Sequence, residues 1–152
     1  MLAEGDKVPA TLTVLDDEGR KTKLRDLADP YLVLYFYPKD DTPGCTSEAK
    51  QFGEAFKKFE KKGATIAGVS RDTVASHQKF KERYGIPYRL LADTESKVCD
   101  AFGVIVEKNM YGKKSLGIAR STFVIDAKGT IVKVWPKVSV EGHAAEVLAS
   151  LS

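Results

Sequence analysis

Cys45 and Cys99 are the two sulfur nucleophiles of this 152-residue sequence, and their separation of 54 positions forms neither a Cys-x-x-Cys pair nor a metal-ligand spacing. Only His77 and His143 could add imidazole nitrogens, so neither a zinc site nor a disulfide scaffold is expected. What is left is thiolate chemistry. Cys45 closes the run Pro38-Lys39-Asp40-Asp41-Thr42-Pro43-Gly44-Cys45. A threonine directly before a proline reads as a helix N-cap followed by the first helical residue, which puts Cys45 at the third helical position. A helix start presents unpaired N–H groups and a partial positive charge, and both favour thiolate over thiol. The competing reading is a small buried hydrophobe, the usual condition of an intracellular cysteine.

The elements around Cys45 must hold it there. Residues 31–37, YLVLYFY, are all apolar or aromatic, the length and composition of a strand buried on both faces. Beyond the polar turn, Cys45, Ala49, Phe52, Phe56 and Phe59 recur at spacings of three and four, the inward stripe of one amphipathic helix of about five turns. Lys62-Gly63 ends it, and residues 64–70, ATIAGVS, read as a second buried strand. Strand, helix and strand make a right-handed βαβ unit with parallel strands. The turn before Cys45 then lies at the carboxyl end of a strand, where open α/β sheets place their chemistry.

The rest of the chain supplies further layers. Residues 11–15 and 21–24 flank Asp16-Asp17-Glu18-Gly19 as an N-terminal β-hairpin, followed by one helical turn over 25–28. Asp72 or Thr73 caps a helix with Val74, His77, Phe80 and Tyr84 on one stripe, ended by Gly85 and Ile86-Pro87. Residues 88–92 are extended, and 96–102 form a short helix carrying Val98, Cys99 and Phe102. Residues 107–116 show little periodicity and read as a loop. Residues 121–126 and 130–135 form an antiparallel hairpin, and 140–151 a final helix. On its apolar stripe His77 reads as a satisfied, half-buried histidine, whereas His143 reads as surface. Strands interleaved with helices describe an α/β fold, a mixed central sheet flanked by helices, in a single domain over residues 1–152.

The segment YFYPKDDTPGCTSEA fits the Pro-x-x-x-Thr-x-x-Cys signature and resembles the peroxiredoxins, in particular the bacterioferritin comigratory protein subfamily, also called peroxiredoxin Q. The similarity continues through GIARSTFVID, residues 117–126, and covers essentially the whole chain. The resemblance implies a thioredoxin fold with peroxiredoxin insertions and a thiol peroxidase that reduces hydrogen peroxide and alkyl hydroperoxides through a Cys45 sulfenic acid. It implies that Pro38 shields the sulfur from water and that Thr42 hydrogen-bonds to the thiolate and the peroxide oxygen, compatibly with a plain capping role. It makes Arg120, by its own surroundings a solvated arginine, the active-site guanidinium, and Glu48, otherwise a first-turn glutamate favoured by the helix dipole, the residue that orients it. In that subfamily a resolving cysteine commonly stands five residues after the peroxidatic one, and here that position is Lys50. Cys99 is then the sole candidate resolving cysteine, against its ordinary reading as a buried structural thiol.

Charge and composition fit a reductive enzyme without a polyanionic partner. Lys and Arg number 24 against 21 Asp and Glu, a formal +3, and the positive residues are dispersed, so nucleic acid is not expected. The chain opens without a cationic segment and apolar core, and no apolar run approaches the roughly 18 residues of a span, so a soluble cytoplasmic protein is expected. No metal, haem or flavin is implied, and the expected partner is thioredoxin, glutaredoxin or a small thiol, acting on a monomer or weak dimer. A disulfide reductase on the same fold would need a second cysteine where Glu48 stands. An inert Cys45 in a thioredoxin-like binding module is the non-enzymatic alternative.

Overall fold

The computed structural model describes residues 1–151, with Met110 described by its backbone alone. Tyr31–Phe36 (β3) is an interior strand of a seven-stranded sheet in the order β2-β1-β5-β4-β3-β8-β9. The N-terminal hairpin is β1 (Thr13–Leu15) with β2 (Lys21–Lys23), followed by a 3₁₀ turn at Leu24–Leu27. β4 (Ala64–Ser70) pairs parallel with β3 and β5 (Arg89–Ala92) parallel with β4, whereas on the other side β8 (Ser121–Asp126) pairs antiparallel with β3 and β9 (Ile131–Trp135) antiparallel with β8. The sheet is mixed, as expected, and helices cover both its faces.

β3 shows why its run is apolar throughout. Leu32, Leu34 and Phe36 point into one buried cluster, and Val33, Tyr35 and Tyr37 into another on the opposite face. The first cluster packs under the 3₁₀ turn and α4 (Lys97–Phe102), which brings Val98, Cys99 and Phe102. The second packs under α1 (Pro43–Glu54), α2 (Phe56–Lys61), α3 (Val74–Tyr84) and α5 (His143–Ser150). Each fully buried Leu, Val or Phe adds about 1.5–3 kcal/mol, and this two-sided burial makes β3 a rigid base for the turn that follows it.

Four expectations are corrected. The long helix over 43–61 is two helices, separated by Ala55 at φ −92° and ψ 1°, two residues after Gly53, a weak helix former. Phe52 and Phe59 still reach the same cluster, so the stripe survives the break. Residues 107–116 are not a loop but most of a hairpin, β6 (Ile105–Met110) and β7 (Lys113–Ile118), turning through Tyr111 and Gly112 at φ 54° and 78°. Residues 111–116, Tyr111 and Leu116 included, are all exposed, so there was no alternating pattern to find there. His143 is not surface: it is 3% exposed, with Nε2 2.7 Å from Thr122 Oγ1. The final helix also starts at His143, three residues later than the pattern suggested.

Candidate active site

Cys45 is the third residue of α1, after the N-cap Thr42, Pro43 and Gly44. Its side chain faces inward with Ala49 and Phe52 into the second cluster and is 1% exposed. No acidic residue stands in the first turn of α1, so the positive end of the helix is left for the sulfur. The Thr42 hydroxyl donates to Lys39 O at 2.9 Å, tying off the preceding turn, while Thr42 O accepts from Thr46 N at 2.8 Å. Thr42 is thus the N-cap by position, with its hydroxyl engaged on the turn. Pro38 follows β3 at the surface and is exposed.

Arg120 lies between β7 and β8, 75 residues from Cys45, and its Nη2 donates to Cys45 Sγ at 3.3 Å. Its Nη1 donates to Glu48 Oε1 at 2.8 Å. The backbone is held by Val138 N, which donates to Arg120 O at 3.0 Å. One planar guanidinium therefore bridges the sulfur and a carboxyl one turn away on the same helix, a fork geometry that lysine could not provide. Glu48 is 1% exposed and lies beyond the first turn, so it is not a first-turn glutamate answering the helix dipole. Burial pushes its carboxyl up to about 7, against the pull of Arg120. Glu48 and the sulfur in turn hold the Arg120 guanidinium firmly protonated despite its own partial burial.

Gly44 is a participant that sequence reasoning passed over. A Cβ there would stand 3.2 Å from Arg120 Nη2, so the missing side chain lets the guanidinium lie close against the helix start without shifting. The signal was its place between the N-cap and Cys45. The turn itself is fastened from the side. Asp40 Oδ1 accepts from Tyr37 Oη at 2.6 Å, and Oδ2 takes Ser76 Oγ and His77 Nδ1, each at 2.8 Å. Asp41, left-handed at φ 59°, is gripped by Arg83 and Tyr84 from the end of α3. Burial raises the Asp40 carboxyl, but the bonds from His77, Tyr37 and Ser76 outweigh it and hold Asp40 below the usual carboxylate range. Asp40, Asp72 and His77 bring possible ligand atoms within 4.8 Å of one another. Those atoms bond to Tyr37, Ser70, Ser76 and backbone, so the cluster works as scaffold. His77 is satisfied on both sides, its Nε2 lying 2.9 Å from Leu91 O.

Cys99 does not join this site. It sits in the first cluster, across the sheet from Cys45, and both are free thiols. Among the proposed site residues the structure thus brings Cys45 and Glu48 into contact with Arg120, sets Thr42 at the helix cap, leaves Pro38 exposed and separates Cys99.

The AhpC/TSA family pattern matches residues 5–134. Peroxiredoxin Bcp of Xanthomonas campestris is 52% identical over 133 residues, 88% of this chain and 83% of that protein. Peroxiredoxin Bcp of Bacillus subtilis is 47% identical over 147 residues, 97% of this chain and 93% of that protein. A structure of Xanthomonas campestris bacterioferritin comigratory protein, solved in connection with its alkyl peroxide reduction activity, superposes with a TM-score of 0.89 at 47% identity, covering 96% of this chain and 97% of that one. With a helix-start thiol under an arginine on a mixed sheet of this topology, the chain belongs to the AhpC/TSA family and is a thiol-dependent peroxidase of the peroxiredoxin Bcp/Q group.

Proposed function

We propose that the chain acts as one domain in which Cys45 is the peroxidatic nucleophile for hydrogen peroxide and alkyl hydroperoxides. The Cys45 thiolate attacks the terminal peroxide oxygen; the S–O bond forms as the O–O bond breaks, and the departing oxygen takes a proton to leave as water or alcohol. Sulfur is oxidised by two electrons to sulfenic acid and the peroxide is reduced by two. Arg120 steadies the thiolate and then the charge gathering on the departing oxygen, Glu48 sets the guanidinium in place with Gly44 leaving it room, Thr42 orders the helix start, and Pro38 shields the sulfur from water. The observation that carries this reading is the 3.3 Å contact between Arg120 Nη2 and Cys45 Sγ at the head of α1.

The second half of the cycle uses an external thiol. A disulfide requires Cα atoms within about 7 Å. Cys45 and Cys99 belong to clusters on opposite faces of the sheet, so a bridge within one chain would have to pass through β3 and its neighbours. We therefore assign a one-cysteine cycle in which thioredoxin, glutaredoxin or a small thiol reduces the sulfenic acid directly. A cytoplasmic setting supplies such thiols and suits two unpaired cysteines; among the described residues no helix is long and apolar enough to cross a membrane. The test is mass spectrometry of protein treated with one equivalent of peroxide, with and without a sulfenate trap. A trapped Cys45 adduct is expected; a Cys45–Cys99 cross-linked peptide would overturn the one-cysteine cycle, and a trap adduct on neither cysteine would overturn the nucleophile.

A further inference from the structure

Glu48 carries an imbalance that the peroxidase cycle does not use. Its Oε1 accepts from Arg120 Nη1, while Oε2, equally buried, has no hydrogen-bond partner among the described residues. A bare, buried carboxylate oxygen is costly, and a proton on the carboxyl lowers that cost by removing the charge. Arg120 is also shared: the same guanidinium serves Glu48 at 2.8 Å and the Cys45 sulfur at 3.3 Å. Two anions on one cation in a dry site repel each other, so a charge on one end weakens the hold on the other.

We propose that Glu48 is a positioning residue that works in its protonated form, leaving the Arg120 charge to the Cys45 sulfur, and that its ionisation draws the guanidinium away and slows attack on peroxide. This rests on the assignment of Cys45 as the nucleophile. The groups facing Glu48 support a neutral acid. Arg120 is the cation beside it and Cys45 the other buried acid on its own helix, Glu54 at the far end being exposed. From the sheet side come two phenols, Tyr35 of β3 and Tyr88 just before β5, bonded to each other at 2.7 Å, with Tyr88 donating onward to Ala49 O at 3.1 Å. Burial pushes both phenols up, so neither brings a charge. His143 of α5 packs edge-on against Phe52, one turn further along α1, and burial holds it below its usual value, on the neutral side. Glu48, with a carboxyl raised to about 7 by burial, is then the group nearest the sulfur that changes charge around neutrality.

The direction is definite. As pH rises through the Glu48 transition, the rate of peroxide attack falls from the value that thiolate formation alone would give. Carbon-13 carboxyl NMR of the reduced protein follows Glu48 directly, assigned through its backbone. In the wild type the Glu48 midpoint should lie about one pH unit above that of Cys45→Ser, because without the thiolate Arg120 serves the carboxyl alone. Stopped-flow rates with hydrogen peroxide should show an alkaline decline in the wild type that is absent in Glu48→Gln. Identical Glu48 midpoints in wild type and Cys45→Ser, or a carboxyl ionised down to the ordinary carboxylate range, would overturn the proposal. The titration requires no turnover. If Cys45→Ser kept its peroxidase activity, that would instead sink the nucleophile assignment.

Discussion

The two cysteines occupy the same local position and meet opposite fates. Cys45 is the third residue of α1 and Cys99 the third residue of α4, and both are almost wholly buried. By helix-start arguments alone they should be equally inclined to ionise. At α4 the positive end is already taken, since Asp93 Oδ1 accepts from Val98 N at 3.1 Å and Oδ2 from Cys99 N at 2.8 Å. Burial, with the Asp93 carboxylate beside it, pushes the Cys99 thiol well up. At α1 no carboxylate takes the first-turn N–H groups, and a guanidinium sits at the sulfur instead. The difference teaches that a helix start provides room for one anion. Which group becomes that anion depends on the sign of the charge that tertiary packing brings alongside.

The sharpest way to break this comparison is to exchange each sulfur for oxygen. Cys45→Ser should lose peroxide consumption by about 10³-fold or more, as removal of a nucleophile does, with an unchanged circular dichroism spectrum. Cys99→Ser, assayed with a small dithiol as reductant, should turn over within about twofold of wild type, because its sulfur faces a carboxylate across the sheet. A large loss in Cys99→Ser would mean that the two sites are chemically coupled. Next in size is the guanidinium. Arg120→Ala should slow Cys45 oxidation about 10²-fold, comparable to the loss of one oxyanion donor, and slow its alkylation at mildly acidic pH. Rates that stay at the wild-type level would remove Arg120 from the chemistry. The smallest effect belongs to the other helix. Asp93→Asn weakens the cap of α4 and should cost about 1–3 kcal/mol in a urea denaturation while leaving the Cys45 oxidation rate near wild type. If that rate fell with stability, the two faces of the sheet would not be independent.

Legibility followed the range of the interactions. β3, the N-cap at Thr42, the parallel pair β3–β4 and the β8–β9 hairpin were all readable, because each is written in a period or a turn signal within a few residues. The β6–β7 hairpin was missed because its turn and most of β7, residues 111–116, are exposed on both faces and have no reason to alternate. His143 was misplaced because exposed Glu141 and Gly142 precede it, while the partner that buries it, Thr122, is 21 residues away. Within the site, Cys45 could be singled out from its own neighbourhood. Arg120 could not, and only resemblance to a family separated it from a solvated arginine.

The sequence by itself determined where the thiol would stand: a buried strand, a turn, Thr42-Pro43 and an apolar stripe leave Cys45 little choice but the third position of an inward-facing helix. Tertiary structure alone decided what that thiol would meet. It carried Arg120 across 75 residues to the sulfur with its guanidinium close against Gly44, sank Glu48 beneath that guanidinium, and put Cys99 on the far face beside Asp93. Backbone hydrogen bonds and hydrophobic periods act between near neighbours and are therefore written locally. The charge state of a buried group is set by the dielectric and by ions that come from distant parts of the chain, and those exist only once the sheet has closed between them.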